Sequence, residues 1–155
     1  MISKIIFKNL FVITALALAF FPHTLLAQDI PQSQVPSLVV NSFQKSFPKA
    51  ADVEWELKGE LYKVEFETGL LGTDHDAWYD NTGKLIRHKE EISKSDLPQK
   101  VLAKINSDFN GYRVKDVKKI TENNHVTYTL ELKTFSEEWK VAFDSQGTVL
   151  SKIAD

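Results

Sequence analysis

The chain has 155 residues, with 19 Lys and Arg against 21 Asp and Glu, and it contains no cysteine. The missing thiols exclude disulfides, thiolate nucleophiles, Cys-ligated zinc and iron–sulfur clusters. A formal charge of -2 speaks against a nucleic-acid binder, which would show a basic excess.

The N-terminal stretch is read first, because it bears on export and not on the fold. Lys4 and Lys8 precede an apolar run over residues 10–21, followed by Pro22 and by Leu25, Leu26 and Ala27. This is the layout of a secretory signal peptide over residues 1–27, with cleavage expected after Ala27. The run is short for a membrane span, which needs about 20 apolar residues, so no stable membrane insertion is expected after cleavage. Removing it takes away two Lys and no acid, leaving 17 basic and 21 acidic side chains, a formal charge of -4. An exported chain without cysteine has to hold together by packing alone, which suits a periplasmic or secreted protein.

After a polar leader at residues 28–34, the chain repeats itself. Val35, Pro36, Val39, Phe43 and Phe47 are answered by Leu97, Pro98, Val101, Ile105 and Phe109 at a constant offset of 62. Both segments have helical apolar spacing, each with Pro in its first turn, and Asp96 is placed to cap the second. Downstream the period becomes two. Tyr62, Val64 and Phe66 alternate with Lys63 and Glu65, and Tyr128, Leu130 and Leu132 alternate with Thr129 and Glu131, at an offset of 66. The segment from Ala77 through Asp80 and Gly83 is answered by Val141, Asp144 and Gly147 at an offset of 64. The shared Asp-x-x-Gly predicts a hairpin turn in which Asp bonds the backbone ahead of it and Gly takes a positive φ.

Each unit therefore reads as one helix followed by four antiparallel strands. Strands are expected at 52–58, 61–68, 75–79 and 84–92, then at 113–121, 126–133, 137–143 and 148–153. The first repeat spans residues 35–93 and the second 94–155, and the fold class is α+β. One helix covers one face of a four-stranded sheet, so the other face stays open.

Two such units behind a signal peptide, with paired Tyr-x-Val/Leu-x-Phe/Leu strands and a closing aromatic-Asp-x-x-Gly hairpin, resemble the PepSY-like, beta-lactamase-inhibitor-like periplasmic proteins. The resemblance implies two repeats forming a curved eight-stranded sheet, with a concave face suited to grasping another protein. The inhibitors of that shape carry disulfides, which this chain lacks.

Strand alternation places Ala77 and Tyr79, like Val141 and Phe143, toward the helices, and Asp76, Trp78 and Asp80 toward the open face. Trp55 and Trp139 are expected in the core, while the facing of Val114, Val117 and Ile120 is left open by their uneven spacing. The hairpin tips supply further candidates: Leu70, Leu71 and Asp74 in the first unit and Phe135 in the second. The resemblance implies that an acidic residue from one tip and an aromatic from the other enter a target, with Asp74 and Phe135 in those places. Folding of Leu70, Leu71 and Phe135 back over the sheet rim is the competing reading.

Chemistry finds little footing. In Asp74-His75-Asp76 and His88-Lys89-Glu90-Glu91, neighbours point to opposite faces of a strand, so only Asp74 and Asp76 share a side. His75, His88 and His125 lack ligand spacing, and no Ser/His/Asp signature, Gly-rich phosphate loop or HExxH occurs. The expectation is a non-enzyme with no catalytic residues, no metal site and no cofactor. It would bind an envelope or extracellular protein through Leu70, Leu71, Asp74, Asp76, Trp78 and Phe135, as an inhibitor or regulator of a peptidase or other envelope enzyme. A small-ligand or lipid carrier is the alternative, and a homodimer through the open face a third outcome. Nucleic acid is not expected as a partner.

Overall fold

A computed structural model describes residues 28–154. The expected signal peptide lies outside them. The elements in chain order are β1 (Gln28–Asp29), α1 (Ser37–Ser46), β2 (Ala51–Lys58), β3 (Leu61–Thr68), β4 (Thr73–Tyr79) and β5 (Leu85–Glu91), then α2 (Gln99–Asp108), β6 (Arg113–Glu122), β7 (His125–Lys133), β8 (Glu138–Asp144) and β9 (Val149–Ala154). All strands lie in one antiparallel sheet in sequential order. The expected eight strands are thus nine, because Gln28 and Asp29 of the polar leader pair with Leu57 and Glu56 at the edge of the sheet.

Both helices lie on the same face of the sheet, as the register shows. Val64 pairs with Ala77 and Ala77 with His88, His88 with Thr121, and Lys119 with Tyr128, so core positions of the two halves share one side. Each helix fills that side with its own cluster. Val39 and Phe43 of α1 pack on Trp55, Val64, Phe66, Ala77 and Tyr79. Val101 and Ile105 of α2 pack on Val117, Tyr128, Leu130, Leu132, Val141 and Phe143. Each buried side chain of this kind contributes about 1.5–3 kcal/mol by leaving water, which is why one helical stripe suffices to seat each helix.

Pro36 and Pro98 stand one residue before their helices, at the N-cap and not inside the first turn. Their carbonyls accept the first helical N–H bonds, from Val40 at 3.1 Å and from Leu102 at 3.0 Å. The proposed cap by Asp96 is not made on α2. Its carboxylate instead accepts the Ser93 N–H at 3.1 Å, closing a short 3-10 turn over Lys94–Asp96. Proline fixes the backbone at the helix start and leaves no side-chain oxygen there to cap it.

The two hairpin turns explain the repeated glycines. Asp80 Oδ1 accepts the N–H of Thr82 at 2.9 Å and of Lys84 at 3.0 Å, and Asp144 Oδ1 accepts those of Gln146 and Thr148, both at 2.8 Å. Gly83 and Gly147 have φ of 82° and 83°. A Cβ there would stand 2.7 Å from the Leu38 carbonyl oxygen and 2.6 Å from that of Lys100, so each turn presses on the first turn of its own helix. The glycines are needed for conformation and for close approach together.

A bulge shared by both units resolves the uneven strand β6. Asp116 adopts φ 49° between the pairs Lys115↔Glu131 and Lys118↔Thr129, which turns Val114 and Val117 to the helix side and Ile120 to the open face. Asp52, at φ 48°, makes the same bulge in β2 between Ala51↔Glu67 and Glu54↔Glu65. These pairs relate the first hairpins of the units by 64 residues, not the 66 read from Tyr62 and Tyr128. The difference is one of register: Val64 faces Ala77 while Tyr128 faces Phe143, so the second hairpin slides two residues against the first.

Candidate functional site

The open face is formed by the residues that alternate with the core positions. On β3 these are Lys63, Glu65 and Glu67, and on β4 Asp74, Asp76 and Trp78, in the pairs Lys63↔Trp78, Glu65↔Asp76 and Glu67↔Asp74. β5 continues the face with Arg87 opposite Trp78 and Lys89 opposite Asp76. The result is a shallow basin of about 500 Å³, lined by eight carboxylates (Asp52, Glu54, Glu65, Glu67, Asp74, Asp76, Glu91, Asp116) against three lysines (Lys63, Lys89, Lys118).

The floor of the basin is an ion-pair network. Asp76 is 6% exposed; it lies 3.5 Å from Lys63 and also pairs with Lys89. Lys63, 7% exposed, pairs besides with Glu65 and, at 3.4 Å, with Glu56. Burial pulls the Lys63 ammonium toward neutrality, but Glu65, Asp76 and Glu56 outweigh it and hold its pKa above the ordinary lysine value. Trp78 is half-buried, with the Arg87 guanidinium 4.9 Å and the Lys63 ammonium 5.7 Å from its ring. Two of the expected site residues, Asp76 and Trp78, are therefore on the open face but tied to its own cations.

The tips are different. Leu70, Leu71 and Phe135 are fully exposed, at 105%, 98% and 107% of their reference areas, so the folded-back alternative does not hold. Gly69 and Gly72 flank the leucines with φ of 77° and 65°. In the second tip, Thr134 Oγ1 accepts the N–H groups of Ser136 at 3.3 Å and Glu137 at 3.1 Å, a tight turn that leaves Phe135 pointing outward. Because the strands alternate in direction, the β3–β4 and β7–β8 tips project from the same end of the sheet. Four strand spacings separate them, roughly 19 Å along the sheet. The basin spans β2 to β6, on the side of the first tip.

Trp55 is in the first core at 3% exposure. Trp139 only borders the second, its ring 3.8 Å from the Lys152 ammonium. Beneath the first unit, on the helix side, His75 Nδ1 meets His88 Nε2 at 3.1 Å in a stacked pair, and His75 Nε2 meets Thr68 Oγ1 at 2.8 Å. Burial lowers the pKa of both imidazoles. Among the described residues no group of three or more His, Asp or Glu is arranged to hold a metal ion. Sequence reasoning missed the basin itself. Lys63, Glu65 and Glu67 were signalled by strand alternation, whereas Asp52 and Asp116 join only through bulges that no motif announces.

The arrangement of a meander sheet, two helices on one face and exposed apolar tips defines the class. The chain belongs to the family described as "Putative beta-lactamase-inhibitor-like, PepSY-like", whose pattern matches residues 25–87 and again 60–151. Among solved structures it is similar to a BLIP-like protein from Bacteroides fragilis, with TM-score 0.65 and 22% identity over 81% of this chain and 87% of that one. A DUF2874 family protein from Bacteroides ovatus gives TM-score 0.67 and 19% identity over 82% of this chain and 89% of that one. A "putative periplasmic" protein from Bacteroides eggerthii gives TM-score 0.67 and 18% identity over 77% and 88%. No curated protein matches. No helix among the described residues is long and apolar enough to cross a membrane.

Proposed function

We propose that this chain is a periplasmic, non-enzymatic binding module that holds another envelope protein between its two hairpin tips and against the acidic basin. The observation that carries this reading is the full exposure of Leu70, Leu71 and Phe135 on tight turns at one end of the sheet. Apolar side chains of this size, held rigidly in water, gain most when a partner's pockets cover them. A complementary partner has two apolar recesses roughly 19 Å apart, the spacing of the tips, and a basic patch beside the first that meets the carboxylates. An inhibitor or regulator of a peptidase or other envelope enzyme fits that description. The periplasmic description of a structural relative supports the compartment.

The small-ligand or lipid carrier has less support. Core positions under both helices are filled, and the basin on the open face is lined chiefly by charged groups. The test is capture from envelope extract by residues 28–155 beside a triple variant, Leu70→Ser, Leu71→Ser and Phe135→Ser. Exposed positions of this kind leave stability within about 0.5 kcal/mol, so the variant stays folded. A protein retained by the parent and lost by the variant is the expected result. Equal capture by both would sink the tips as the binding element, and a lipid found by native mass spectrometry would move the carrier ahead.

A further inference from the structure

The two ends of the sheet are not alike. At one end β9 is exposed along its whole length, Val149–Ala154, and among the described residues nothing pairs with its outer side. At the other end β2 would be equally bare but for β1, which is described over Gln28–Asp29. The middle of the sheet shows what such edges do when they meet. There β5, the last strand of the first unit, pairs with β6, the first strand of the second. β9 is the counterpart of β5, and β2 is the counterpart of β6.

The correspondence extends to single residues. The shared bulges and hairpin turns relate β2 to β6 by 64 positions, so Glu56 and Leu57 answer Ile120 and Thr121. On β6 those two residues pair with Lys89 and His88 of β5. On β2 they pair with Asp29 and Gln28 of β1. Just beyond, the Ile30 N–H donates to the Trp55 carbonyl at 2.9 Å, extending the cap by one rung. The leader thus occupies on β2 the place that β5 occupies on β6. An edge shaped to receive a β5-like strand is filled by the leader.

We infer that β1 is an edge cap, and that the partner it excludes is a second copy of this chain, whose β9 would pair with β2 as β5 pairs with β6. Bare edges invite such addition, and the usual defences are sparse on β9. It has no proline, and its one charge, Lys152, is drawn off over Trp139 and Phe109, at 3.8 and 5.2 Å from their rings. Its bulge, where Val149 rather than Leu150 pairs with Phe143, is also present in β5 at Leu85, and β5 pairs with β6 regardless. Since β9 and β2 are different edges, the contact is head-to-tail and does not close on itself, so uncapped copies would grow into open chains. The tips and the basin stay free in such an assembly, so this inference stands apart from the binding reading.

The outward groups of β9 can be named. Ile92 N–H donates to the Val117 carbonyl, so even-numbered positions of the β5 segment face β6, and their counterparts Lys152 and Ala154 face outward. Proline at 152 would remove one outward donor while leaving the β8 side paired. The experiment compares residues 28–155 with a chain beginning at Ile30, which loses only two exposed residues and keeps Ile30 against the first core. Far-UV circular dichroism and urea unfolding confirm that each variant is folded. Gln28→Pro in the longer chain serves as a second uncapped form, and Asp29→Cys with Glu56→Cys, a directly paired position, locks the cap in place.

Sedimentation velocity across concentrations gives the answer. The expected result is a constant monomer mass for the locked chain, and for the uncapped chains a mass that keeps rising with concentration past the dimer. Lys152→Pro in the uncapped chain should return it to monomer. A folded uncapped chain that remains monomeric up to about 1 mM, the weak limit of specific association, overturns the inference. So does a dimer that stops growing, or a rising mass that persists with Lys152→Pro.

Discussion

The two halves use nearly the same backbone to different ends. On the helix side they match: a proline before each helix, a valine one turn in, a bulge at Asp52 and at Asp116, a glycine turn pressed on the helix start. On the open side they diverge. The first half carries the buried pair of Lys63 and Asp76 with the half-exposed Lys89, whereas the second sets Thr129, Ala142 and Ser151 beside Glu131 and Lys140 around a smaller depression of about 230 Å³. The helix side must satisfy packing in both copies, and packing leaves few choices. The open side answers to whatever each half meets, so the chemistry is free to differ there.

The matched cores are where this comparison can be broken hardest. Phe43 holds an aromatic cluster, with Trp55 and Phe66 rings at 5.4 and 5.0 Å, while its counterpart Ile105 puts an aliphatic side chain into a mixed cluster that includes Leu130, Leu132, Tyr128 and Phe143. Phe43→Ala should cost about 3–5 kcal/mol and Ile105→Ala about 2–5, read from urea midpoints. A loss below 1 kcal/mol at either site would mean that its helix is not seated as described. On the divergent side, Asp76→Ala strips a buried partner from two lysines and should cost about 3 kcal/mol. Ser151→Ala, exposed on the second half, should stay within about 0.5 kcal/mol. Similar effects at both would remove the distinction between the open faces.

Gly83→Val and Gly147→Val sharpen the likeness instead. Each forces a side chain into positive φ and against a helix carbonyl, so both should lose at least about 2 kcal/mol, and by similar amounts. The smallest effect is one of pH and belongs to the first half alone. His75 and His88 have pKa values lowered from 6.5 by burial, partly offset by Glu90, Asp74 and Asp76, with Lys119 opposing at His88. The folded state therefore binds fewer protons than the unfolded chain below about pH 6.5, and stability falls as pH drops through that region, by at most about 1.4 kcal/mol per unit for each proton. Urea midpoints at about pH 7.5 and 5.5 should differ in the parent and differ less in His88→Gln, where His75 alone remains. An unchanged slope in that variant would show that other groups set the pH dependence.

Much of the fold was legible because its rules are local. The 3.6-residue spacing of Val39 and Phe43 and the period-two run from Tyr62 to Phe66 report burial directly, and Asp80 and Gly83 spell out a turn that needs only neighbouring backbone. The facing of Trp78 and Asp76 followed from the same alternation. The facing of Val114, Val117 and Ile120 did not, because one residue at positive φ resets the alternation and Asp is not distinctive enough to announce it. Asp96 read as a helix cap because its distance from α2 suited one, and the extra 3-10 turn that claims it is settled by chain geometry.

Sequence alone determined the two-unit plan, the elements in each unit, the turns and the sides of most strands, since each depends on residues a few positions apart. Tertiary structure decided the rest. It joined eight acids from five strands into one basin, buried Asp76 against Lys63 and Lys89, set both tips at the same end of the sheet, and turned two leader residues into a strand. These depend on contacts between distant parts of the chain, where strand register and not residue type decides which side chains meet.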